Sequence, residues 1–519
     1  MGSRRTNGLD SVHPKCINIG IRCGGYRHLN QSPDSPVEPA TSQIERSLQR
    51  LPTQNSRERS CMEYFYFKIA PRLGGYFHQS FWNQKILVLC LEEPVIRTSI
   101  VAFSSLYEIT LKQETNPKDV SDPQEQFALE YYNRALRDTA NGLDNLESIR
   151  VLLTSCVIFF CIDCLRKDIP VALKHIRGGL KLLQIWRERY HRALELNETS
   201  ALKSDFDFIE SDLVLVFSWL NMISVMFGGV SHSINNLSSS STVRHLSGPF
   251  NNIVDARASL VDIVDQTIQI VQKFNDYSKG RAVSSNDKAM QLIVLGTYND
   301  WKISFENMME KDAGTWSPAV RNGANLILAS WWTMKLWLEG AFFEYETEWD
   351  AFKEAFEQIA KYVETVTDDQ IRFPDDESKF FCFEPIYLPA LQFLVLKCRY
   401  PQLRRKGLRL LRACPQKEAI FDSRTSELLF KRVMELEEAS IPGLKPGQIP
   451  KDDQLPPEEF RIQKIEMPPL PATAKGSTVN FYSKPNGPNG SWHVTAEYIN
   501  MSNQSSMRLF QQKYGSWAL

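Results

Sequence analysis

The sequence predicts an all-α protein: a large multi-helix body that closes on one C-terminal β-hairpin and is preceded by a disordered N-terminal region. Three observations carry this. From residue 61 to about 440 the apolar residues recur at helical spacing rather than in alternation. The breaks in that pattern fall at Glu93-Pro94, Asn116-Pro117, Asn141-Gly142, the serines at 238–241, Pro374 and Pro401, residue types that stop helices. Apolar/polar alternation appears late, in STVNFYSKPNGPNGSWHVTAEYIN, on both sides of a turn whose Asn-Gly pairs supply the positive φ that a hairpin needs.

Composition agrees with a folded chain. With 519 residues, 43 % of them hydrophobic and 23 % charged, there is enough apolar surface for one large or two ordinary cores. Sixty basic and 61 acidic residues leave a formal net charge of −1, so no global field draws nucleic acid or an anionic membrane, and any DNA contact must come from a local patch. Ten cysteines without regular spacing, most of them inside apolar runs, read as reduced thiols. The opening MGSRRTNGLDSVH has no apolar core of secretory-signal length. VLLTSCVIFFCIDCL at 151–165 is too short to span a bilayer, and LVLVFSWLNMISVMFGG at 213–229 is interrupted by Asn221; both read as buried helices, and no membrane partner is expected.

Along the chain, the first informative stretch is HPKCINIGIRCGGY at 13–26. His13, Cys16 and Cys23 stand as H-x2-C-x6-C, with Pro14 and Gly20 to turn the backbone between them. Zinc takes both imidazole and thiolate, but three ligands are one short of a closed tetrahedral site, so metal binding by this segment alone is expected to be weak. Residues 27–60 are rich in Ser, Pro, Gln and Arg and read as a disordered linker. Ile44, Leu48 and Leu51 within it make about one coiled-coil repeat, too few for a zipper.

Residues 61–440 form the helical body, and no period of 34 or 40 residues marks a helical-repeat array. Cys156, Cys161 and Cys164 sit in an apolar run, where cysteine packs as a small core residue. His175 precedes Arg177 and Gly178-Gly179, but no G-x-G-x-x-G pattern or preceding strand supports phosphate binding. Trp331, Trp332 and Trp337 read as core. In the helix at 402–413, Leu403, Gly407, Leu410 and Leu411 share one face. Arg404, Arg405, Lys406, Arg409 and Arg412 crowd the other, which reads as a solvated face over a buried seam. Arg399, just before it, reads as a helix C-terminal cation beside the buried thiol Cys398. Residues 441–475 are a Pro/Lys-rich connector, and 476–519 the hairpin and tail, with Phe481, Trp492 and Tyr498 expected to pack on the helices.

An enzymatic alternative is an all-α terpene-synthase-like fold, in which acidic clusters hold magnesium against diphosphate. The acidic clusters are Asp368-Asp369 and Asp375-Asp376-Glu377, with Asn275-Asp276 and Ser278 as a faint second motif. Both spacings fail, the motif order is reversed, and Pro374 breaks the helix that would present the carboxylates. No catalytic residue is assigned, and the chain is read as a non-enzyme.

Two stretches resemble one family. Pro14, Cys16, Cys23, Gly25 and Tyr26 are similar to the second half of the fungal-type six-cysteine binuclear zinc cluster, with His13 where a fourth cysteine would stand and no counterpart to the first three. The run PIYLPALQFLVLKCRYPQLRRKGLRLLRACPQKEAIFDSRTSELLFKRVMELEE resembles the C-terminal part of the fungal-specific transcription factor regulatory domain: an apolar helix ending in KCR, an arginine-rich helix closing at a proline, and a helix ending in paired glutamates. Weaker echoes at 81–108, 130–140 and 173–183 extend the resemblance over about residues 60–505. It implies a nuclear transcriptional regulator of metabolic or biosynthetic genes, with 1–26 the remnant of a zinc-cluster DNA-binding module and 61–440 the regulatory domain. Zinc is expected if a longer product completes the cluster, and otherwise no cofactor. Partners would be DNA, through a complete cluster or a partner protein, together with transcription machinery or co-regulators and a second copy of the chain. The alternative is a cluster-less modulator acting through protein contacts. No DNA-contacting residue is assigned.

Overall fold

The computed structural model describes residues 55–115, 122–142, 149–196, 203–226, 249–275, 283–372, 380–384, 387–467 and 476–500. His13, Cys16 and Cys23, the linker heptad, the serine run at 238–241 and Asp375-Asp376-Glu377 lie outside them.

The described chain is helical as expected, with a short entry of α1 (Ser56–Tyr64), α2 (Ala70–Leu73) and α3 (Ile86–Glu92). Asn55 caps α1 by accepting the Glu58 N–H at 2.9 Å. Pro94 starts α4 (Pro94–Thr115), and α5 (Asp122–Asn141) ends at the Asn-Gly pair. α4 packs against α5 and α6 (Ile149–Leu165), and α6 against α7 (Ile169–Glu195). α8 (Lys203–Phe208) leads through a π-helical turn into α9 (Val214–Met226), which lies on α7 and α10 (Ile253–Asn275). α11 (Ser285–Asp312) and α12 (Pro318–Glu339) continue the stack, and α12 packs on α13 (Lys353–Arg372).

Two of these helices are apolar on all sides because the core surrounds them. Every residue of α6 is buried except Arg150 and Cys156, and α9 is buried from Val214 to Val225. The window Ile209–Met226 has the length and composition to cross a membrane, and 72 % of it is buried inside this fold. Gly179 on α7 explains one close crossing: a Cβ there would stand 2.2 Å from the Phe217 ring of α9. Gly179 of the Gly-Gly pair near His175 therefore serves helix packing.

The C-terminal third brings α14 (Tyr387–Lys397), α15 (Pro401–Ala413) and α16 (Ser423–Glu438) together. α14 is buried along its whole length, and α15 approaches so closely that a Cβ on Gly407 would stand 2.6 Å from Val395 Cγ2. A small sheet that the sequence pattern did not show joins β1 (Phe381–Cys382) parallel to β2 (Lys417–Glu418), and β2 antiparallel to β3 (Phe421–Asp422). Strands of two residues are too short to display alternation. The buried Glu418 on β2 accepts the backbone N–H groups of Tyr387 and Leu388, neutralising the start of α14.

The hairpin forms as expected, with β5 (Gly476–Ser483) antiparallel to β6 (His493–Asn500) and Gly487 at φ +81° in the turn. It gains a third strand, β4 (Lys464–Glu466), on the other side of β5. Only one of its three expected anchors is buried. Phe481 is 0 % exposed, whereas Trp492 and Tyr498 are 46 % and 64 % exposed. The register explains Tyr498: it pairs with Thr478, whose side chain points away from the face that carries Val479 and Phe481. Trp492 instead meets the outward-facing Tyr482 edge-on, with ring centroids 6.0 Å apart.

Candidate functional site

The sequence placed its most family-like features on three successive helices, and the fold brings their charged residues to one buried point. Arg399 follows α14, Arg404 lies on the first turn of α15, and Glu437 is near the end of α16; all three are at most 1 % exposed. Glu437 lies between the two guanidiniums, with Oε1 3.1 Å from Arg399 and Oε2 2.6 Å from Arg404. The Arg404 contact is an ion pair without hydrogen-bond alignment. Arg404 Nε donates to the Val395 carbonyl at 3.0 Å, a group that the end of α14 leaves unpaired.

The cluster extends to segments far away in sequence. Glu346 pairs with Lys397 at 2.7 Å and with Arg399 at 2.9 Å. Arg461 makes a two-pronged contact to Asp350 at 2.8 and 2.7 Å and donates to the Glu346 carbonyl at 3.1 Å. Glu458 accepts the N–H groups of Glu346 and Thr347, and the Ile462 N–H donates to Glu437 Oε1 at 2.8 Å. The segment after α16 is thereby tied to the helices by charge-assisted bonds.

Burial disfavours charge throughout, and the pairing decides each group. Burial opposes ionisation of Glu437, but Arg399 and Arg404 outweigh it and hold the carboxyl below its usual range. Burial likewise pulls against the charge of Arg399, and Glu437 with Glu346 reverses it, so its pKa rises. For Lys397 and Arg404 burial prevails, and the pKa falls.

This arrangement corrects two sequence readings. Arg399 is a fully buried member of the cluster rather than a helix-end cation. The basic residues of α15 form a solvated face only in part: Arg409 and Arg412 are exposed as expected, whereas Arg404 is buried, Arg405 forms a two-pronged pair with Glu438 at 2.7 and 2.6 Å, and Lys406 meets Glu364 at 2.6 Å; Arg412 also meets Glu427 at 2.6 Å. Helical-wheel placement separates polar from apolar faces, but it cannot show that the polar face meets other helices. Glu346, Asp350 and Arg461 were missed altogether, because their partners lie 51 or more residues away and no local spacing signals them.

Two smaller buried polar groups lie elsewhere. Arg257 on α10 pairs with Glu384, and its guanidinium stands 3.0 Å from His78 Nε2. Burial, then the Arg257 charge, holds the His78 pKa well below its ordinary value. Tyr132 donates to Asp163 at 2.7 Å, with Arg166 and His175 on the same carboxylate at 2.7 and 3.2 Å, joining α5, α6 and α7.

The thiols follow the core reading. Cys161 and Cys164 are buried, and burial raises both pKa values well above the ordinary thiol range. Trp331 and Trp337 are buried and Trp332 partly so. Asp368 lies exposed near the end of α13. Among the described residues no group of three or more His, Cys, Asp or Glu is placed to hold a metal ion.

With this geometry in hand, the chain can be set beside known proteins. The aspercryptin biosynthesis cluster-specific transcription regulator atnN of Emericella nidulans is 26 % identical to it over 206 residues. The chain is similar to a fungal transcription regulator. That alignment covers 34 % of this chain, which spans about a third (32 %) of the relative's length. No family model matches the chain, and no solved structure matches it. A regulator as relative fits a protein without catalytic activity.

Proposed function

We propose that this chain is the helical regulatory part of a nuclear transcription regulator that controls biosynthetic genes. The observation that carries the reading is the convergence of the KCR end, the arginine-rich helix and the paired glutamates on one buried cluster, in a chain similar to a cluster-specific regulator. The features that prompted the family resemblance are thus the ones that hold the C-terminal third together.

The way it reaches DNA follows from charge. Of the five cations of α15, Arg404, Arg405, Lys406 and Arg412 face carboxylates and Arg409 is exposed, and the chain carries a net charge of −1, so α15 presents little to phosphates. DNA contact is accordingly assigned to a complete zinc cluster, of which His13, Cys16 and Cys23 are the part present, or to a partner protein. Zinc would be held by the cysteine thiolates, with no catalytic role.

Two experiments test this. Fused to an unrelated DNA-binding domain, residues 55–500 should change transcription of a reporter carrying that domain's site; a reporter that does not respond refutes the regulatory role. A gel shift of the chain at low salt, where phosphate contacts are strongest, separates the routes. Binding lost on Cys16→Ser and Cys23→Ser assigns DNA contact to this segment, and no binding assigns it to a cluster completed in a longer product or to a partner protein.

A further inference from the structure

Strand β6 is the edge of its sheet, with β5 on one side and no described strand on the other. The Tyr482 carbonyl accepts the Gln463 N–H at 2.8 Å, so the backbone groups of Tyr482 and, at alternate positions, of Asn480 and Thr478 turn to β4. Those of Ser477, Val479, Phe481 and Ser483 then turn to β6, where the register joins them to Ile499, Glu497, Thr495 and His493. Val494, Ala496 and Tyr498 therefore direct their N–H and C=O groups away from the sheet. Among the described residues these groups have no backbone partner.

Such an edge is ordinarily blunted by lysine, proline or a bulge. The strand HVTAEYIN has neither residue, and its eight pairs with β5 run without a bulge. Its one carboxylate, Glu497, turns to the inner face and is held by Arg432 at 2.7 Å. Val494 and Tyr498 stand 44 % and 64 % exposed on the outer face. A row of outward N–H and C=O groups specifies its occupant more narrowly than an apolar face does, because an extended strand is what satisfies it.

We propose that residues 507–514, MRLFQQKY, pair antiparallel with β6 as a fourth strand. Residues 501–519 lie outside the described residues and follow β6 directly in sequence, so this segment reaches the edge through a short loop alone. Ser502-Asn503-Gln504-Ser505-Ser506 supply a five-residue hairpin loop of turn-forming types. In that register Phe510 lies opposite Tyr498, Gln512 opposite Ala496 and Tyr514 opposite Val494 on the outer face. On the inner face Leu509 lies opposite Ile499 and Gln511 opposite Glu497. Aromatic against aromatic or β-branched, and aliphatic against aliphatic, are the cross-strand pairs that stabilise a sheet. A loop one residue shorter would set Phe510 against the ion-paired Glu497 and Arg508 against Ile499, so side-chain chemistry selects the longer one. The inference does not depend on the chain being a transcription regulator.

Two measurements on the full chain, carrying Cys16→Ser and Cys23→Ser, test it. Hydrogen exchange should find the Val494, Ala496 and Tyr498 amides protected. Gln512→Pro removes the N–H that faces Ala496, and it should speed their exchange severalfold while leaving the Phe481 amide unchanged. Ala496→Cys with Gln512→Cys should close a disulfide within one chain under mild oxidation. It should form severalfold faster than the disulfide of Ala496→Cys with Gln511→Cys, whose side chains point to opposite faces. Unprotected amides in the parent chain, protection that survives Gln512→Pro, cross-links that join two chains, or equal rates for the two cysteine pairs would overturn the proposal.

Discussion

Replacing Glu437 by glutamine removes one negative charge, conserves side-chain volume, and leaves Arg399 and Arg404 sharing a buried site without the carboxylate between them. The Ile462 N–H also loses its charged acceptor. Breaking a buried pair by removing one partner costs about 3–5 kcal/mol. That is a large share of the roughly 5–15 kcal/mol that holds a typical fold. The contrast is Glu427→Gln, whose partner Arg412 is 65 % exposed; loss of a surface pair costs about 0–1 kcal/mol. Urea unfolding followed by circular dichroism measures both, and hydrogen exchange at the Ile462 amide reports the local effect. Adding Arg404→Met to Glu437→Gln should recover part of the loss, since one orphaned charge is then gone.

The acid limb supplies a further check on the same residue. The folded pKa of Glu437 lies below its unfolded value, so its contribution is complete above about pH 4.3 and is lost as pH falls through the folded pKa. Glu437→Gln should abolish that part of the pH dependence. If the glutamine variant unfolds within 1 kcal/mol of wild type and Ile462 stays protected, the reasoning that makes Glu437 the keystone of the C-terminal third is refuted.

Three other outcomes follow from the geometry. His78 is buried with its pKa lowered, so its contribution to stability is present above about pH 6.5 and falls as pH drops below it; His78→Gln should flatten a stability profile between about pH 6.5 and 5, and an unchanged slope would show that His78 does not titrate on unfolding. The thiols of Cys90 and Cys398, each pushed up to about 12 by burial, should resist a thiol reagent at about pH 8 until the chain is unfolded; fast native labelling would contradict their core placement. With three ligands at His13, Cys16 and Cys23, the chain should lose zinc to a micromolar chelator within mixing time, and stoichiometric zinc that survives the chelator would require a fourth ligand.

Much of the helical architecture was legible because helix formation is written locally. Apolar spacing marks which residues share a face, and Pro94, Asn141 and Pro401 stop or start helices through their own backbone preferences. The hairpin was legible for the same reason: Asn-Gly pairs dictate turn geometry whatever surrounds them. Even the misplaced Tyr498 was within reach of the sequence, since its parity opposite Thr478 sets it on the outer face once the register is known.

The candidate site was legible only in part. The sequence by itself determined that Arg399, Arg404 and Glu437 sit at helix ends separated by short breaks. Tertiary structure decided that they meet, and that Glu346, Asp350 and Arg461 complete the cluster across gaps of up to 115 residues. A lone arginine on a helical wheel looks solvated because charge prefers water. Only when several helices surround it does the low-dielectric interior make a distant carboxylate the better partner, and that depends on the packing of the whole chain rather than on any local stretch.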